Sequence, residues 1–352
     1  MRIAQIAPLA EAVPPKLYGG TERVVSWLTE ELVRQGHDVT LFAAGGSETK
    51  AKLVPGCESG LRLQGVRDHT ASNLVMLDQV RHRADEFDII HCHIDLLQYP
   101  LFKDMAHKVV TTMHGRLDVP DFLPVYKAYP HMPLISISDR QREPMPPNVN
   151  WLATIHHGLP ADVCPYNPDG GDYLAFLGRI SPEKRPDRAI EIAKKAGIKL
   201  KIAAKVDKGD QDYFDTVIKP MLDHPLIEFI GEIDESQKCL FTGNALALLF
   251  PIDWIEPFGL VMIEAMSAGT PVIAWNCGSV PEVVEDGVAG VIVQSIDEAV
   301  AAVDRVRHFD RAAVRRSFEA RFTVRHMAQN YIAAYKALIA KSDSPLRLVA
   351  AE

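Results

Sequence analysis

The alternation of strand-like and helix-like segments, in two separate series, is the feature that most constrains how this chain can fold. Short apolar runs such as RIAQIAP (2–8) are followed by longer amphipathic stretches, and the order then repeats. Strands that alternate with helices pair in parallel, because each helix returns the chain to the starting edge of the sheet. The first series ends near His157 and the second begins at Tyr173. The sequence therefore predicts an α/β fold with two doubly wound, Rossmann-like domains.

Breaks in the pattern indicate where these domains end. GLPADVCPYNPDGGD (158–172) is rich in proline, glycine and aspartate, so it is the expected hinge. We place an N-terminal domain at 1–163 and a C-terminal domain at 164–322. The tail from about 323 to 352 has apolar residues at helical spacing, which predicts a long helix. Since ligands of open α/β sheets bind at the carboxyl ends of the strands, we expect the two domains to face each other across a cleft.

Composition argues against several classes of protein. The formal net charge of −8 disfavours a nucleic-acid surface, so cations gathered at one site need a local reason. No apolar run reaches the roughly 18 residues of a membrane span, and the start MRIAQIAPLAEA lacks the pattern of a signal peptide. The five cysteines are scattered, at Cys57, Cys92, Cys164, Cys239 and Cys277. Because this pattern does not indicate disulfides, we expect a cytoplasmic protein without membrane association.

The stretch IEPFGLVMIEAMSAGTPVIA (255–274) places two glutamates around an apolar helix. Pro257 suits a first helical turn, where exposed N–H groups attract anions. Three amides are expected to point outward there: those of Phe258, Gly259 and Leu260. Glu256 and Glu264 flank this position, as carboxylates would if they accept hydrogen bonds from the hydroxyls of a sugar diphosphonucleoside. The alternative is that Glu256 is only a charge at a helix start and Glu264 only a solvated surface residue. The apolar neighbours of Glu264 disfavour this alternative.

Basic residues follow the first strand of the second series. In GRISPEK (178–184), Arg179 stands at the strand end and Lys184 precedes the next helix. An arginine fork beside a mobile ammonium is a usual way to hold a diphosphate. Either residue alone is more often an ordinary loop charge. Because Arg179 and Lys184 lie in the same domain as Glu256 and Glu264, the two basic residues together favour a phosphate site.

The helix expected over 21–36 has recognisable end signals, with Thr21 as its N-cap residue and Gly36 as its C-terminal stop. Gly19 and Gly20 lie between the first strand and this helix. Paired glycines let the backbone approach a phosphate, with the helix start behind them. The alternative is that they only relax the loop.

Three further motifs carry polar groups with more than one interpretation. His114 in TTMHG closes a strand, where it either bonds sugar or phosphate oxygens or is a satisfied structural histidine. The run HCH (91–93) suggests zinc, but no further ligand pair accompanies it, so a metal is not expected. Asp210 and Asp212 form a D-x-D of the kind that binds manganese elsewhere, yet their place at a helix start favours N-capping.

Taken together, these segments resemble the GT-B glycosyltransferases of family 4, which are retaining enzymes that use nucleoside-diphosphate sugars. The resemblance covers nearly the whole chain. Its motifs are YGGTERVV, HCH and TTMHG in the first domain, then GRISPEK, EFIGEI, EPFGLVMIEAMSAGTPVIA and GSVPEVVEDGVAG. The two glutamates separated by seven residues, with GR and EK before them, are its most specific part.

The resemblance implies a role for each candidate residue. Arg179 and Lys184 would neutralise the diphosphate. Glu256 would bind hexose hydroxyls with His114 beside the hexose, and these four residues form the expected catalytic group. The other expected donor contacts are Gly19, Gly20, Lys205, Gly231, Ile233, Phe258, Gly259, Leu260 and Glu264.

Within that set, Glu264 would hold the ribose and the backbone near 231–233 would meet the base. Lys205 stands where many relatives have glycine. It is either a third contact to the phosphate or hexose, or an ordinary surface lysine. His93 and Asp95 fall near the expected acceptor pocket. The tail helix would pack back on the first domain, as in similar enzymes.

Three further residues depart from the family pattern. Asp253 and Trp254 occupy a turn that smaller polar residues often fill, which bears on sugar choice. His157 stands where asparagine is common, and the sequence assigns it no role.

The expected reaction is a one-face displacement in which the departing diphosphate helps to deprotonate an acceptor hydroxyl. No metal or other cofactor is expected on this interpretation. UDP-glucose is slightly preferred as donor over GDP-mannose, and the sequence identifies no acceptor. Two alternatives remain: an epimerase of the same fold, and a non-catalytic sugar-nucleotide-binding module, which the intact charged residues disfavour.

Overall fold

The computed structural model describes residues 1–16 and 19–343, which divide into two compact units. The first unit contains Met1–Ile137, Arg142–His156 and the chain from Val324 onward. The second contains Ser138–Gln141 and His157–Thr323. The last helix therefore belongs with the N-terminal residues, and a four-residue segment from the first half belongs to the second unit. The boundary expected at 163/164 stays a prediction.

The first unit is built on a parallel sheet with the strand order β3-β2-β1-β4-β5-β6-β7. Its strands are β1 (Arg2–Ile6), β2 (Asp38–Ala44), β3 (Lys52–Cys57), β4 (Ile89–Cys92), β5 (Val109–Thr112), β6 (Leu134–Ser136) and β7 (Trp151–Thr154). The chain winds outward from β1 to β3 and then restarts at β4, on the other side of β1. The topological switch point, where ligands of such sheets bind, therefore lies between the carboxyl ends of β1 and β4.

Helices cover this sheet on both faces, since consecutive residues of β1 such as Ile3 and Ala4 are fully buried. The longer helices are Gly20–Arg34, Thr70–His82, Leu123–Ala128 and Val324–Asp343, with shorter turns at Ala84–Glu86, Tyr99–Phe102, Lys103–Met105, Pro120–Phe122 and Arg140–Arg142. The last helix packs against Gly20–Arg34 and buries Tyr331 and Tyr335. Among residues 1–16 and 19–343, no helix combines the length and the apolar character needed to cross a bilayer.

The second unit has a parallel sheet with the order β10-β9-β8-β11-β12-β13. Its strands are β8 (Leu174–Arg179), β9 (Leu200–Lys205), β10 (Ile227–Gly231), β11 (Ala247–Phe250), β12 (Val272–Trp275) and β13 (Gly290–Val293). The chain again winds outward, from β8 to β10, and restarts at β11 on the other side of β8. The switch point of this unit therefore lies between Arg179 and Phe250.

The helices of the second unit are Pro186–Ala196, Gln211–Tyr213, Phe214–Ile218, Lys219–Met221, Glu235–Gly243, Leu260–Ser267, Val280–Val283, Ile296–Val306 and Arg311–Arg321, with a 3-10 turn at Lys208–Asp210. A core of strand and helix residues that includes Leu174, Ile190 and Ile202 is fully buried. Each such side chain contributes about 1.5–3 kcal/mol relative to exposure to water. The predicted fold class, two α/β units with parallel sheets, is confirmed.

Two expectations from the sequence are wrong. Gly19, not Thr21, is the N-cap residue of the helix Gly20–Arg34, and no side chain caps this helix. The chain needs the flexible residue there because a Cβ at Gly19 would lie 2.8 Å from the Cβ of Pro15. The second correction concerns the cysteines, since Cys164 and Cys239 form a disulfide within the second unit. The expected stop at Gly36 is confirmed, because its φ of 83° is left-handed.

Candidate active site

The switch point of the second unit brings together residues from two distant parts of the sequence. Arg179 ends β8, and Lys184 follows in the next loop, just before the helix Pro186–Ala196. Glu256 lies in the loop between β11 and the helix Leu260–Ser267. Lys184 Nζ donates a hydrogen bond to Glu256 Oε2 across this switch point.

A tryptophan completes the group around Glu256. Trp254 Nε1 donates to the same carboxylate oxygen over 2.9 Å, and Lys184 Nζ lies 4.9 Å from the centre of the indole ring. The Lys184 and Glu256 side chains are only 20% and 12% exposed. Removing one member of so shielded a pair would leave its partner with an uncompensated charge. The sequence did not predict that Lys184 and Glu256 bind each other, nor that Trp254 holds the glutamate.

Arg179 and Lys205 form a second group of charges at the ends of neighbouring strands. They are register partners in the β8–β9 pair, so both side chains start from the same edge of the sheet. Asp207 lies between them, 3.6 Å from Arg179 and 3.1 Å from Lys205, measured between charged atoms. Arg179 also contacts Glu183 and, at 3.8 Å, Asp210. Exposed pairs of this kind are worth about 0–1 kcal/mol, so a phosphate could replace these carboxylates at small cost.

Asp210 does not act as the expected N-cap. It occupies the N-cap position of the helix Gln211–Tyr213, but its side chain makes no capping hydrogen bond. Its carboxylate turns toward Arg179 instead. The attraction of the guanidinium for a carboxylate explains the difference.

The helix that carries Glu264 begins later than the sequence suggests. It spans Leu260–Ser267 with Gly259 as N-cap in a left-handed conformation, φ 77°, so Pro257 is not in its first turn. Phe258 delays the start, because its buried ring packs against His157 and Phe322 with centroid distances of 5.0 and 6.1 Å. Of the three amides expected at the helix start, only that of Leu260 belongs to the helix.

Glu264 lies in the second turn of this helix. The residue is 8% exposed, so it is not the solvated surface residue of the alternative interpretation. Gly231 ends β10 with φ 85°, and a Cβ there would meet no atom within 4 Å. Ile233 is half-buried between this strand and the helix Glu235–Gly243, which Asp234 caps through a capping box. These positions are compatible with the expected ribose and base contacts, which stay predictions.

The turn that carries Glu256 is held by residues that sequence reasoning missed. Ser138 Oγ donates to the carbonyl of Pro257 and Ser279 Oγ to that of Phe258, each over 2.7 Å. The amide of Ser279 donates to the Glu256 carbonyl over 3.1 Å. Gly278 allows this approach, since a Cβ there would lie 2.4 Å from the Glu256 nitrogen. The glycine and serine in CGSVPE were the available signal.

Glu282, from the same loop region, accepts two backbone hydrogen bonds from the short segment Ser138–Gln141. The donors are the amides of Asp139 and Arg140, at 2.8 and 2.9 Å. A carboxylate that accepts two amides in this way fixes the local backbone firmly. The segment is therefore anchored beside the Pro257 turn within the second unit.

The switch point of the first unit has its own set of candidate residues. Gly19 and Gly20 stand at the start of the helix that follows β1. Their neighbours Leu17 and Tyr18 lie outside the described residues. His93 directly follows β4, and Asp95 is exposed two residues later.

His114 follows β5 and is linked to His93. The distance from His93 Nδ1 to His114 Nε2 is 2.8 Å, and the two rings lie 5.1 Å apart. Burial lowers the pKa of His114 to about 3, because the interior disfavours the cationic ring. His114 is therefore neutral near pH 7. In the part of the chain that the structure describes, no three His, Cys, Asp or Glu side chains are arranged to hold a metal ion.

Comparison with known proteins agrees with this fold. The sequence matches the family Glycosyltransferase Family 4 over residues 18–171 and the family Glycosyl transferases group 1 over residues 166–317. It is 27% identical to the glycogen synthase of Mycobacterium tuberculosis, covering 88% of this chain and 87% of that one.

Solved structures share the architecture. AviGT4, a glycosyltransferase involved in avilamycin A biosynthesis, superposes with a TM-score of 0.74 at 22% identity over 97% of this chain and 98% of the other. HepE of Anabaena in complex with UDP-glucose gives a TM-score of 0.70 at 17% identity, over 96% of this chain and 100% of the other.

Fold, switch-point residues and family matches together define a GT-B glycosyltransferase. The chain belongs to family 4 of these enzymes and is of the hexosyltransferase class. The family and the enzyme class that the sequence motifs predicted are thereby confirmed.

Proposed function

We propose that this glycosyltransferase moves a hexose from a nucleoside-diphosphate sugar to a hydroxyl acceptor with retention of configuration. The observation that carries the proposal is the meeting of Lys184 and Glu256 across the switch point, beside the start of the helix Leu260–Ser267. UDP-glucose is the donor we favour, with GDP-mannose next. The solved complex of HepE with UDP-glucose supports the choice of a UDP-sugar.

Donor binding begins with an exchange of partners in the second unit. The diphosphate draws Lys184 away from Glu256 and Arg179 away from Asp207, since a diphosphate with two negative charges attracts cations more strongly than one carboxylate. Glu256, released from the ammonium, then accepts hydrogen bonds from the hexose hydroxyls. Glu264 accepts from the ribose, and Lys205 is a third cation for the phosphates.

The protein supplies position and charge stabilisation rather than a covalent intermediate. The departing diphosphate takes the proton of the acceptor hydroxyl on the same face of the sugar from which it leaves. Arg179, Lys184 and the amide of Leu260 stabilise the charge that develops on this leaving group. Gly19, Gly20 and His114 contribute donor contacts from the first unit, and Asp95 receives the acceptor beside His93, whose ring is hydrogen-bonded within the protein. No step on this route uses a metal ion.

A thermal-shift screen with UDP-, GDP- and ADP-sugars identifies the donor, because a ligand that binds the folded state raises the melting temperature by mass action. We expect the largest shift with UDP-glucose.

Release of free nucleoside diphosphate then distinguishes the possible reactions. A transferase releases it when acceptor is added, whereas an epimerase retains the nucleotide and a binding module releases nothing. We expect unchanged release after EDTA treatment, and loss of release would contradict a metal-free route.

The substitution Glu264→Ala tests the donor geometry. Losing hydrogen bonds from a buried carboxylate to the ribose should weaken donor affinity by roughly tenfold. Glu191→Ala on an exposed helix face is the control, because Glu191 forms an exposed ion pair with Lys195. Isothermal titration calorimetry measures both variants. Equal donor affinity in wild type and Glu264→Ala would exclude Glu264 from the site.

A further inference from the structure

A chain of buried hydrogen bonds in the first unit connects the last helix to His114. Gln5, fully buried in β1, lies at its centre. Gln5 Nε2 donates to the hydroxyl of Tyr335 over 3.3 Å, and Gln5 Oε1 lies 2.7 Å from His93 Nε2. His93 Nδ1 in turn lies 2.8 Å from His114 Nε2. The chain of bonds therefore runs Tyr335, Gln5, His93, His114, and its first bond joins residues 330 positions apart in the sequence.

The chemistry of each group decides where the protons lie. An amide oxygen only accepts hydrogen bonds, so His93 must carry a proton on Nε2. The neutral form of His93 then has a lone pair on Nδ1, which accepts the Nε2 proton of His114. A neutral His114 protonated on Nε2 has its lone pair on Nδ1. The orientation of the Gln5 amide thus selects one tautomer at two histidines.

A second branch of hydrogen bonds fixes the orientation of that amide. Tyr335 accepts from Gln5, so its own proton is available to His91 Nδ1, 2.7 Å away. His91 Nε2 then donates to Thr112 Oγ1 over 2.7 Å, and Thr112 bonds the hydroxyl of Tyr331 over 3.1 Å. In this order the hydroxyl of Tyr335 and Nε2 of His91 each donate to an acceptor. A flipped Gln5 amide would require Tyr335 to donate to it and His91 to change tautomer as well.

Burial keeps the rings neutral, as this order requires. Gln5 and His91 are fully buried and His93 is 2% exposed. Burial lowers the pKa of His91 well below its usual value, as it does for His114. The hydrogen-bond partners that link the rings in these two branches are the Gln5 amide, the hydroxyls of Tyr335 and Thr112, and the neighbouring imidazole, all of them uncharged groups in this order. A cationic histidine has no compensating charge within this chain of bonds.

We infer that Gln5, His93 and Tyr335 are positioning residues that hold His114 in the Nε2–H tautomer, so that His114 acts toward a bound sugar as a hydrogen-bond acceptor through Nδ1. His114 then accepts a hydrogen bond from a sugar hydroxyl and does not donate one to a phosphate oxygen. This inference rests on the proposed function for its ligand, but the tautomer itself does not. The last helix thereby has a chemical role through Tyr335 in addition to its packing.

The tautomer is measured directly by nuclear magnetic resonance. Protein labelled with ¹⁵N at histidine is recorded in long-range ¹H–¹⁵N correlations at pH 7.5, and His114→Gln assigns the signals of His114. We expect Nδ1 of His114 at the chemical shift of an unprotonated nitrogen and Nε2 at that of a protonated one. A proton on Nδ1, or a cationic ring, would overturn the inference.

Matched variants on the last helix test the role of Tyr335. Tyr335→Phe removes the acceptor of the Gln5 amide while the ring still fills its place, so we expect His114 to populate both tautomers. Tyr331→Phe is the control, since Tyr331 is equally buried one turn earlier but bonds Thr112, not Gln5. Gln5→Leu removes the amide itself, so we expect the same mixture of His114 tautomers in this variant. If Tyr335→Phe and Gln5→Leu both leave His114 wholly Nε2-protonated, the positioning role is refuted.

Donor titration separates this inference from the proposed function. Tyr335→Phe should weaken binding of UDP-glucose, the probe used, by roughly 3- to 10-fold, whereas Tyr331→Phe should leave it unchanged. A mixed tautomer without any change in donor affinity would refute the contact between His114 and the sugar, and with it the acceptor role, while the tautomer assignment stands. Loss of donor binding with an unchanged tautomer would refute the positioning role alone.

Discussion

Arg179 shows how a single side chain can be poised for a ligand without one being bound. Its guanidinium contacts three carboxylates, those of Glu183, Asp207 and Asp210, each through a partly exposed pair. Pairs of this kind are individually weak, so the side chain keeps its place without being committed to one partner. A residue held in this way is expected to change partners when a phosphate arrives.

Arg179→Ala should therefore abolish most of the turnover. Removing one preorganised donor from a developing anionic charge typically costs 100- to 1000-fold, so we expect kcat to fall by about that factor. Arg179→Lys should recover part of it, because the ammonium keeps the charge but loses the fork. Arg307→Ala, at an exposed helix end, is the control. Steady-state rates of nucleoside diphosphate release give the answer, and a near-normal rate in Arg179→Ala would remove this residue from the site.

The buried histidines make stability depend on pH with a definite sign. The pKa of His114 is about 3 in the folded state and near 6.5 in the unfolded chain. Between these values the unfolded state binds more protons, so the free energy of unfolding falls as the pH decreases from about 6.5 toward 3. Above pH 6.5 this contribution is complete. His91 acts in the same direction.

Urea unfolding at pH 7.5, 6 and 5 measures this dependence. We expect wild type to lose stability across the series, and His114→Gln to lose less of it, because one of the groups that must take up a proton on unfolding is gone. Identical pH dependence in the two proteins would show that His114 does not titrate differently between the folded and unfolded states.

Elements with a regular pattern were predictable, and those without one were not. The strands β1 and β8 lie close to their predicted positions because they are continuous apolar runs between breakers. The half-exposed edge strand β3 contains a proline and a glycine, KLVPGC, so nothing in its sequence distinguishes it from a loop. The helix Thr70–His82 was also missed, since exposed Leu74 and Val75 blur its apolar stripe.

The loop around Gly278 is an element whose geometry depends on one missing side chain. Its φ of 52° is left-handed, and an added Cβ would lie 2.4 Å from the nitrogen of Glu256. Gly287 has a φ of 81°, but an added Cβ there would meet no atom within 4 Å. Alanine at either position would therefore adopt an unfavourable left-handed backbone conformation. Only at Gly278 would it also clash with neighbouring atoms.

Gly278→Ala should destabilise the protein more than Gly287→Ala. Each loses about 1–2 kcal/mol from forcing alanine into a left-handed conformation. Gly278→Ala must in addition shift the Glu256 backbone, so we expect a lower melting temperature and weaker donor binding for this variant only. Differential scanning calorimetry and donor titration provide the comparison. Equal losses in both properties would show that the Glu256 turn does not depend on Gly278.

For the molecule as a whole, the sequence placed candidate residues at the carboxyl ends of strands but did not predict the contacts that they make. Arg179, Lys184 and Glu256 were recognisable because each follows a strand or precedes a helix start, which is a local property. The bond between Lys184 and Glu256 joins residues 72 positions apart, and Gln5 reaches Tyr335 over 330. Such contacts depend on tertiary packing, and a single sequence contains no local signal for them.

The disulfide between Cys164 and Cys239 is a tertiary contact of the same kind. It ties the segment that leads into β8 to the helix Glu235–Gly243, over a separation of 75 residues in the second unit. Closing a loop of this length removes conformational freedom from the unfolded chain, which typically stabilises a protein by about 2–4 kcal/mol. The odd, scattered cysteines had indicated no such bridge.

Cys239→Ser should therefore lower the free energy of unfolding by about 2–4 kcal/mol. Reductant should lower the stability of wild type by a similar amount and leave the variant unchanged. Cys57→Ser, a free cysteine of the first unit, is the control and should still respond to reductant. In denaturant, thiol titration should find three reactive groups in wild type before reduction and five after it. Five reactive thiols without reductant, together with no effect of reductant on unfolding, would mean that the bridge does not form in solution. The second unit would then depend on its packed core alone.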